Sequence, residues 1–216
     1  METPFSITNL SDPPLSIRAV SVLATIAAMA AWDLRRARRR GEHGGRYQSR
    51  RLVYRGVLAC GIAGALFGVL MDQVTVSLSP EYFRIMKEID ASTMGGLRAG
   101  AADLGFAAGL VPGLIAGVCL TAAATLGRDT PGVRIGGVLR MLGVPLVMFL
   151  VAAPVMYHLQ ASLDVSGYQR GGLVGFDDDV VRRMVGVMGV HQAAYLSGFA
   201  GTVAATVWLR TRVSRH

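Results

Sequence analysis

The sequence predicts an all-α integral membrane bundle of about five transmembrane helices with a short outer interfacial helix. Hydrophobic residues make up 52% of the 216 residues and charged residues 17%, whereas about a quarter of a soluble domain is charged. Each of five apolar stretches is near the ~20 residues that a helix needs to cross the hydrocarbon. The stretches leave no room for a second domain, so residues 1–216 are expected to form one membrane domain. They are residues 15–32, 52–71, 101–126, 141–159 and 185–209.

The first apolar stretch is expected to remain in the mature protein as a membrane anchor. Ala28-Met29-Ala30 resembles a signal-peptide cleavage site, which is the alternative. A secretory signal carries its basic residues before the apolar run, whereas here an arginine run follows it, at residues 35–40. That run is expected to stop translocation and to contact anionic lipid headgroups, with RNA or a protein partner as the alternative.

Basic residues are divided unequally between the two sides of the predicted bundle. Eight arginines lie in residues 35–51, three in residues 127–140 and three in residues 210–216, whereas the opposite side holds seven basic residues. Because basic loops remain in the cytoplasm, this bias predicts a multi-pass protein of a bacterial inner (plasma) membrane. Five crossings then place the N-terminus outside and the C-terminus in the cytoplasm. The formal net charge of +8 is explained in this way without nucleic acid as a partner.

Glycines recur every four residues in the second and third stretches. Four-residue spacing keeps them near one helix face, where they form a groove that another backbone can approach closely. We expect these faces to pack against other helices, including each other, with lipid or another subunit as the alternative. The glycines expected in the packing are Gly64, Gly68, Gly105, Gly109, Gly113 and Gly117.

Prolines and acidic residues predict where the later helices bend and begin. Pro112 interrupts the third stretch, and Pro145 and Pro154 interrupt the fourth, so each is expected to kink its helix. The acidic run 177–179 favours the N-terminus of a helix, where the helix dipole is positive. With no proline between that run and Arg210, a long last helix is expected to begin outside the membrane.

The segment after the second stretch contains the densest local pattern. Asp72 and Gln73 end the apolar run, and the alternation that follows to Leu78 predicts an extended segment. Ser79-Pro80-Glu81 then has the order of an N-cap, a first-turn proline and a first-turn acid, so a short helix is expected to start there. Its apolar stripe, expected on the outer interface, consists of Phe83, Met86 and Ile89.

This segment resembles the signature of a family of bacterial multi-pass membrane proteins of unknown activity. The matching elements are Asp72-Gln73-Val74-Thr75, Ser79-Pro80-Glu81-Tyr82-Phe83, Lys87, and the later His191 with Tyr195. The resemblance covers residues 52–210, so the first stretch is additional to it. The family has a histidine where this chain has Met71 and an asparagine where it has Gln192. The resemblance implies a membrane protein and no particular reaction.

Several polar side chains are expected to meet near the outer membrane face. Carboxylates and imidazoles together can bind a divalent metal ion such as Zn²⁺ or exchange protons, because histidine titrates near neutral pH. A structural network, in which acids cap helices and Asp72 pairs with Arg98, is favoured over such an ion or proton site. The expected polar site comprises Asp72, Gln73, Glu81, Tyr82, His191 and Tyr195. The residues that a metal ion would use are Asp72, Glu81, His158 and His191.

These patterns favour a structural or accessory component of a membrane assembly. Its partners would be the lipid bilayer, another copy of the chain or other membrane subunits. No phosphate-binding loop or nucleophile elbow occurs, so no cofactor is predicted and enzyme activity is left open. The alternative is an ion-, proton- or metal-handling transporter, or a membrane enzyme, whose site lies on the outer face.

Overall fold

The computed structural model describes residues 14–126, 131–170, 173 and 175–214. These residues form helices and contain no strand, which confirms the all-α prediction. Residues 1–13, and with them the predicted outside position of the N-terminus, lie outside the described part, as do Arg128 and Arg215. The elements are α1 (Leu15–Arg39), α2 (Gly45–Leu78), a short π-helix (Tyr82–Met86), α3 (Met94–Thr125), α4 (Ile135–Met141), α5 (Gly143–Ala161), α6 (Ser166–Arg170) and α7 (Asp178–Ser214).

Among the described residues, four helical segments are long and apolar enough to span a membrane, namely α1, α2, α3 and residues 135–161, which comprise α4 and α5. The chain is therefore a multi-pass membrane protein. The fifth predicted span lies within α7, whose 37 residues would reach about 55 Å. α7 is not among the four, and polar residues such as His191 and Gln192 lower its hydropathy. Its first turn contains Asp178 and Asp179, in line with the predicted acidic start.

The predicted extended segment after Gln73 is wrong, because α2 continues as a helix to Leu78. The hydroxyl of Thr75 donates to the carbonyl of Met71 at 3.0 Å, and the hydroxyl of Ser77 donates to that of Gln73 at 2.9 Å. Bonds of this kind to the preceding turn satisfy hydroxyl groups within the helix itself. The polar alternation therefore reflects the two sides of a helix end and not the two faces of a strand.

The fourth predicted stretch is divided between two helices. α4 ends at Met141 and α5 begins at Gly143. Pro145 explains the division, because it has no N–H and its ring clashes with the carbonyl four residues earlier, that of Met141. Pro112 and Pro154 instead lie inside α3 and α5.

Helices α2 and α3 pack backbone against backbone along their glycines. A Cβ atom placed on Gly68 would overlap the carbonyl oxygen of Gly105, and one on Gly109 would overlap that of Gly64. Only glycine permits so close an approach, since any side chain would meet main-chain atoms. The two glycine faces therefore contact each other and not lipid or another subunit. Further along the same seam, Gly113 lies against the backbone of Cys60 and Gly61, and Gly117 against that of Val57.

Hydrogen bonds tie the helices together at both ends of the bundle. We call the end of the bundle that contains residues 35–51, from the last turn of α1 to the start of α2, the arginine end. There, Arg210 of α7 donates to the carbonyl of Leu126 at 2.6 Å. At the opposite end, which we call the site end, Arg182 of α7 donates to the carbonyl of Ala161 at 3.0 Å. The long helices therefore alternate in direction, as successive membrane crossings do.

Asp103 of α3 caps the N-terminus of α1 at the site end. Its carboxylate accepts hydrogen bonds from the backbone N–H groups of Leu15 at 3.0 Å and Ser16 at 2.9 Å. Replacing Asp103 with alanine is expected to lower stability by about 1 kcal/mol, as the loss of a cap usually does, and to expose residues 14–20 to protease. Thermal unfolding and limited proteolysis in detergent measure both effects. Asp90→Ala, which removes an exposed loop carboxylate, is the control, and equal behaviour of the two variants would contradict the capping role.

Candidate functional site

Asp72 of α2 and His191 of α7 face each other inside the site end of the bundle. Oδ1 of Asp72 lies 3.7 Å from Nε2 of His191, and the two side chains are 2% and 9% exposed. Neither of these two atoms has a hydrogen-bond partner among the described residues. At 3.7 Å the contact is slightly too long for a hydrogen bond, and buried polar atoms without partners are rare in folded proteins. Of the four buried side-chain atoms that lack a hydrogen-bond partner among the described residues, these are the two that belong to ionisable groups.

The glycine seam provides the space for Asp72. A Cβ atom at Gly105 would lie 2.9 Å from Oδ2 of Asp72, so any larger residue at that position of α3 would crowd the carboxylate. Because α2 and α3 touch through their backbones, the carboxylate is enclosed by helix and not covered by a mobile loop. His191 lies inside α7, well beyond its acidic start. Three continuous helices thus hold the two groups in place.

Aromatic rings of the short π-helix cover His191. The ring of Tyr82 stacks on the imidazole with a centroid distance of 5.2 Å and an interplanar angle of 20°. Phe83 approaches the same imidazole edge-on at 6.1 Å. Ser79 positions these rings, because its hydroxyl accepts a hydrogen bond from the N–H of Tyr82 at 3.3 Å, as an N-cap does.

The apolar stripe of the short helix faces the protein. Phe83 is fully buried in a cluster that includes Val76 and Leu97, and Ile89 packs against that cluster. Of the three stripe residues, Met86 alone is exposed. The expectation that the stripe lies on the membrane interface is therefore wrong for Phe83. The reason is that the chain turns at Ser79 and directs its aromatic residues against α7.

A positive charge lies on the far side of the Tyr82 ring. The ammonium nitrogen of Lys87 is 5.5 Å from the centroid of that ring, within the range of a cation–π contact. Burial raises the pKa of Tyr82 to about 12, so its phenol remains protonated and uncharged at physiological pH. Lys87, Tyr82, His191 and Asp72 thus form a series of contacts that leads from the exposed surface to the buried carboxylate.

The remaining residues of the predicted polar site lie near the pair but serve other contacts. Glu81 accepts a hydrogen bond from Ser79 at 3.2 Å, and so belongs to the start of the short helix. The amide of Gln73 donates to the backbone carbonyl of Arg98 at 2.9 Å. The ring of Tyr195 is 58% exposed, although it lies one helical turn from His191.

The predicted metal ligands are not brought together. Asp72 and His191 meet, but Glu81 is engaged by Ser79 and His158 lies exposed on α5, edge-on to Tyr157. Among the described residues no group of three or more histidine, cysteine, aspartate or glutamate side chains could hold a metal ion. Metal binding at this end remains a prediction from residue types.

Sequence reasoning missed several partners of the site. Arg98 donates to the hydroxyl of Ser77 at 2.8 Å, whereas the sequence suggested Asp72 as its partner. Gln160 of α5 donates to Gln192 of α7 at 3.2 Å, which joins these two helices beside His191. The proximity of Gly105 to Asp72 could have been predicted from the sequence. Asp72 follows Gly64 and Gly68 at four-residue spacing, so it lies on the face of α2 that packs against the glycines of α3.

The geometry allows one kind of chemistry directly, which is the exchange of a proton. A proton on either Oδ1 or Nε2 would allow a hydrogen bond between them after a small approach, whereas without one the two lone pairs face each other. Two ionisable groups that interact strongly titrate as a coupled pair, and ionisable groups within membrane helices are often functional. The chain matches no protein-family model, no curated protein and no solved structure.

Proposed function

We propose that this chain is a multi-pass protein of a bacterial inner membrane in which Asp72 and His191 form a buried proton-handling site near the outer compartment. The observation that carries the proposal is the buried contact between two ionisable side chains whose facing atoms lack other partners. Burying such groups costs several kcal/mol unless they are satisfied. A purely structural network would be expected to pair these atoms fully.

The proposed orientation places the arginine end in the cytoplasm and the site end outside. The arginines of residues 35–51 lie at the same end of the bundle as Arg210 and Arg212, in agreement with the positive-inside rule. α7 supplies the fifth crossing, from its acidic start at the site end to the arginines of its last turns. Asp72 and His191 then lie near the outer surface, where protons can reach them over a short distance.

Labelling of single cysteines tests this orientation. In a background with Cys60 and Cys119 replaced by alanine, His43→Cys and Asp177→Cys place thiols on exposed residues of opposite ends. A membrane-impermeant maleimide added to intact cells with a permeable outer membrane is expected to modify position 177 and to reach position 43 only after the inner membrane is opened. The reverse pattern would contradict the orientation.

Infrared difference spectroscopy tests the proton-handling function. Spectra of the protein in liposomes are recorded as the pH is changed between about 4 and 8, the range in which carboxyl and imidazole groups titrate. The carboxyl C=O stretching region is expected to contain a component that is lost in Asp72→Asn and altered in His191→Phe. Asp90→Asn, at an exposed loop carboxylate, should retain it. A spectrum unchanged by Asp72→Asn would remove the proposed function.

A structural or accessory role is the second candidate, and the exposure of α1 favours it. Only 6% of the most apolar segment of α1 is buried, and Met29 and Trp32 are 65% and 62% exposed. The glycine faces, which were expected to serve association with a partner, contact each other between α2 and α3 and are therefore not accessible to one. α1 is the least buried of the four apolar segments, so it is the surface at which we expect a partner subunit. A photoreactive residue at position 29 that captures one defined protein in native membranes, while position 196 on α7 captures none, would support this role.

A further inference from the structure

Two tryptophans lie at the arginine end, and each is paired with an arginine of its own helix. The guanidinium carbon of Arg36 is 5.3 Å from the centroid of the Trp32 ring on α1. That of Arg212 is 4.4 Å from the centroid of the Trp208 ring on α7. Both rings are substantially exposed, and they are the only two tryptophans of the chain. Tryptophan prefers the boundary between hydrocarbon and headgroups, so the pairs place both guanidinium groups at headgroup level.

The two acidic side chains near the α1–α2 connection both face one arginine, Arg50, and leave the others unpaired with acids among the described residues. Asp33 and Glu42 lie 3.8 Å and 3.4 Å from the same guanidinium nitrogen of Arg50. Asp33 also accepts a hydrogen bond from the hydroxyl of Tyr54 at 3.0 Å. Arg38 is held against Tyr47 by a hydrogen bond of 2.6 Å. The other arginines of this connection and the start of α2 are exposed: Arg35, Arg36, Arg39, Arg40, Arg46, Arg51 and Arg55.

We propose that the arginine end is a binding surface for anionic phospholipid headgroups, centred on the Arg36–Trp32 and Arg212–Trp208 pairs. A guanidinium group binds phosphate through parallel hydrogen bonds, and the indole beneath it contacts the upper acyl chain of the same lipid. The adjoining arginines raise the local concentration of anionic lipid further. The surface requires membrane insertion but neither the proposed orientation nor the Asp72–His191 function, since each leaflet of a bilayer supplies headgroups.

The two tryptophans make the test direct, because their fluorescence reports on lipids at this end alone. The full chain is reconstituted into phosphatidylcholine–phosphatidylglycerol vesicles in which one lipid carries bromine on its acyl chains, which quenches tryptophan on contact. When the two lipids are present in equal amounts, brominated phosphatidylglycerol is expected to quench the tryptophan fluorescence more than brominated phosphatidylcholine. The quenching ratio should indicate a local enrichment of anionic lipid of about fivefold, and it should decrease at high salt because the arginines are exposed.

Matched variants separate charge from general membrane contact. In the double variant Arg36→Gln/Arg212→Gln the enrichment is expected to fall clearly, to the level that the adjoining arginines maintain by themselves, whereas Arg36→Lys/Arg212→Lys should retain most of it. Arg84→Gln, at an exposed arginine of the site end, should leave it unchanged. Inorganic phosphate at matched ionic strength should also leave it unchanged, because the surface binds headgroups within the bilayer.

Three results would overturn the proposal. Equal quenching by the two brominated lipids would show that the surface does not select anionic lipid. An enrichment that Arg36→Gln/Arg212→Gln leaves unchanged would place the selectivity elsewhere. Co-purified RNA whose removal by nuclease is needed before any lipid enrichment appears would show that the arginine end binds nucleic acid instead.

Discussion

Gly68→Ala is expected to separate α2 from α3 and to lower stability strongly, because Gly68 leaves less room for a Cβ atom than any other glycine that the structure describes. The added carbon would overlap the carbonyl oxygen of Gly105, which is main chain and cannot rotate away. Alanine in place of glycine favours a helix by about 1 kcal/mol, whereas overpacking costs about 1–3 kcal/mol and occasionally more. Since both helices would have to move, we expect the steric cost to exceed the helix gain by about 2 kcal/mol. Thermal unfolding of the purified protein in detergent measures the difference.

Gly198→Ala is the matched control for this substitution. Gly198 also lies inside a long helix, α7, but a Cβ atom there would meet nothing within 4 Å. The helix preference of alanine then acts alone, so this variant should be unchanged or slightly more stable. If Gly68→Ala were as stable as Gly198→Ala, the close contact of α2 with α3 would be wrong.

Removing either member of the Asp72–His191 pair is expected to cost about 3 kcal/mol, because the proposed shared proton is lost and the other group is left buried without it. Asp72→Asn keeps the size of the side chain and removes its charge. His191→Phe keeps a ring that can stack on Tyr82, so that the loss reports on the imidazole nitrogen and not on packing. The double variant is expected to lose less than the sum of the two, with a coupling of about 1–3 kcal/mol. Unfolding of the wild type and the three variants under one condition gives this coupling.

A second double-mutant cycle, between His191 and Asp90, is the control for this coupling energy. Asp90 is an exposed loop carboxylate, so Asp90→Asn combined with His191→Phe should show additive effects. Additivity of Asp72→Asn and His191→Phe would instead mean that the two side chains do not interact energetically, despite their separation of 3.7 Å.

Much of the architecture could be predicted from patterns that the bilayer imposes. Apolar stretches of the right length predicted α1, α2, α3 and the pair α4–α5 as membrane helices. Glycine spacing predicted which faces of α2 and α3 permit close packing, since a four-residue repeat on a helix has one geometric meaning. The sequence also placed Asp72, Tyr82 and His191 in one site, because alternating crossings carry the end of α2 and the start of α7 to the same end.

Other features depend on tertiary contacts that periodicity does not encode. Thr75 and Ser77 alternate with apolar residues as a strand would, yet their hydroxyls bond to the helix itself. His158 and His191 were equivalent in the sequence, and only the rotation of α5 and α7 about their axes exposes one and buries the other. The stacking of Tyr82 on His191 depends on the turn at Ser79, whose direction no local pattern specifies.

Nitrogen NMR of the histidines in the reconstituted protein tests the account most directly. The chain has four histidines, and the signals of His191 are identified by their absence in His191→Phe. We predict that Asp72→Asn alters the tautomer or the pH response of His191, while the exposed His43 and His158 remain as in the wild type. If the His191 signals and their pH response are the same with and without the Asp72 carboxylate, the two groups share no proton and the proposed site does not exist.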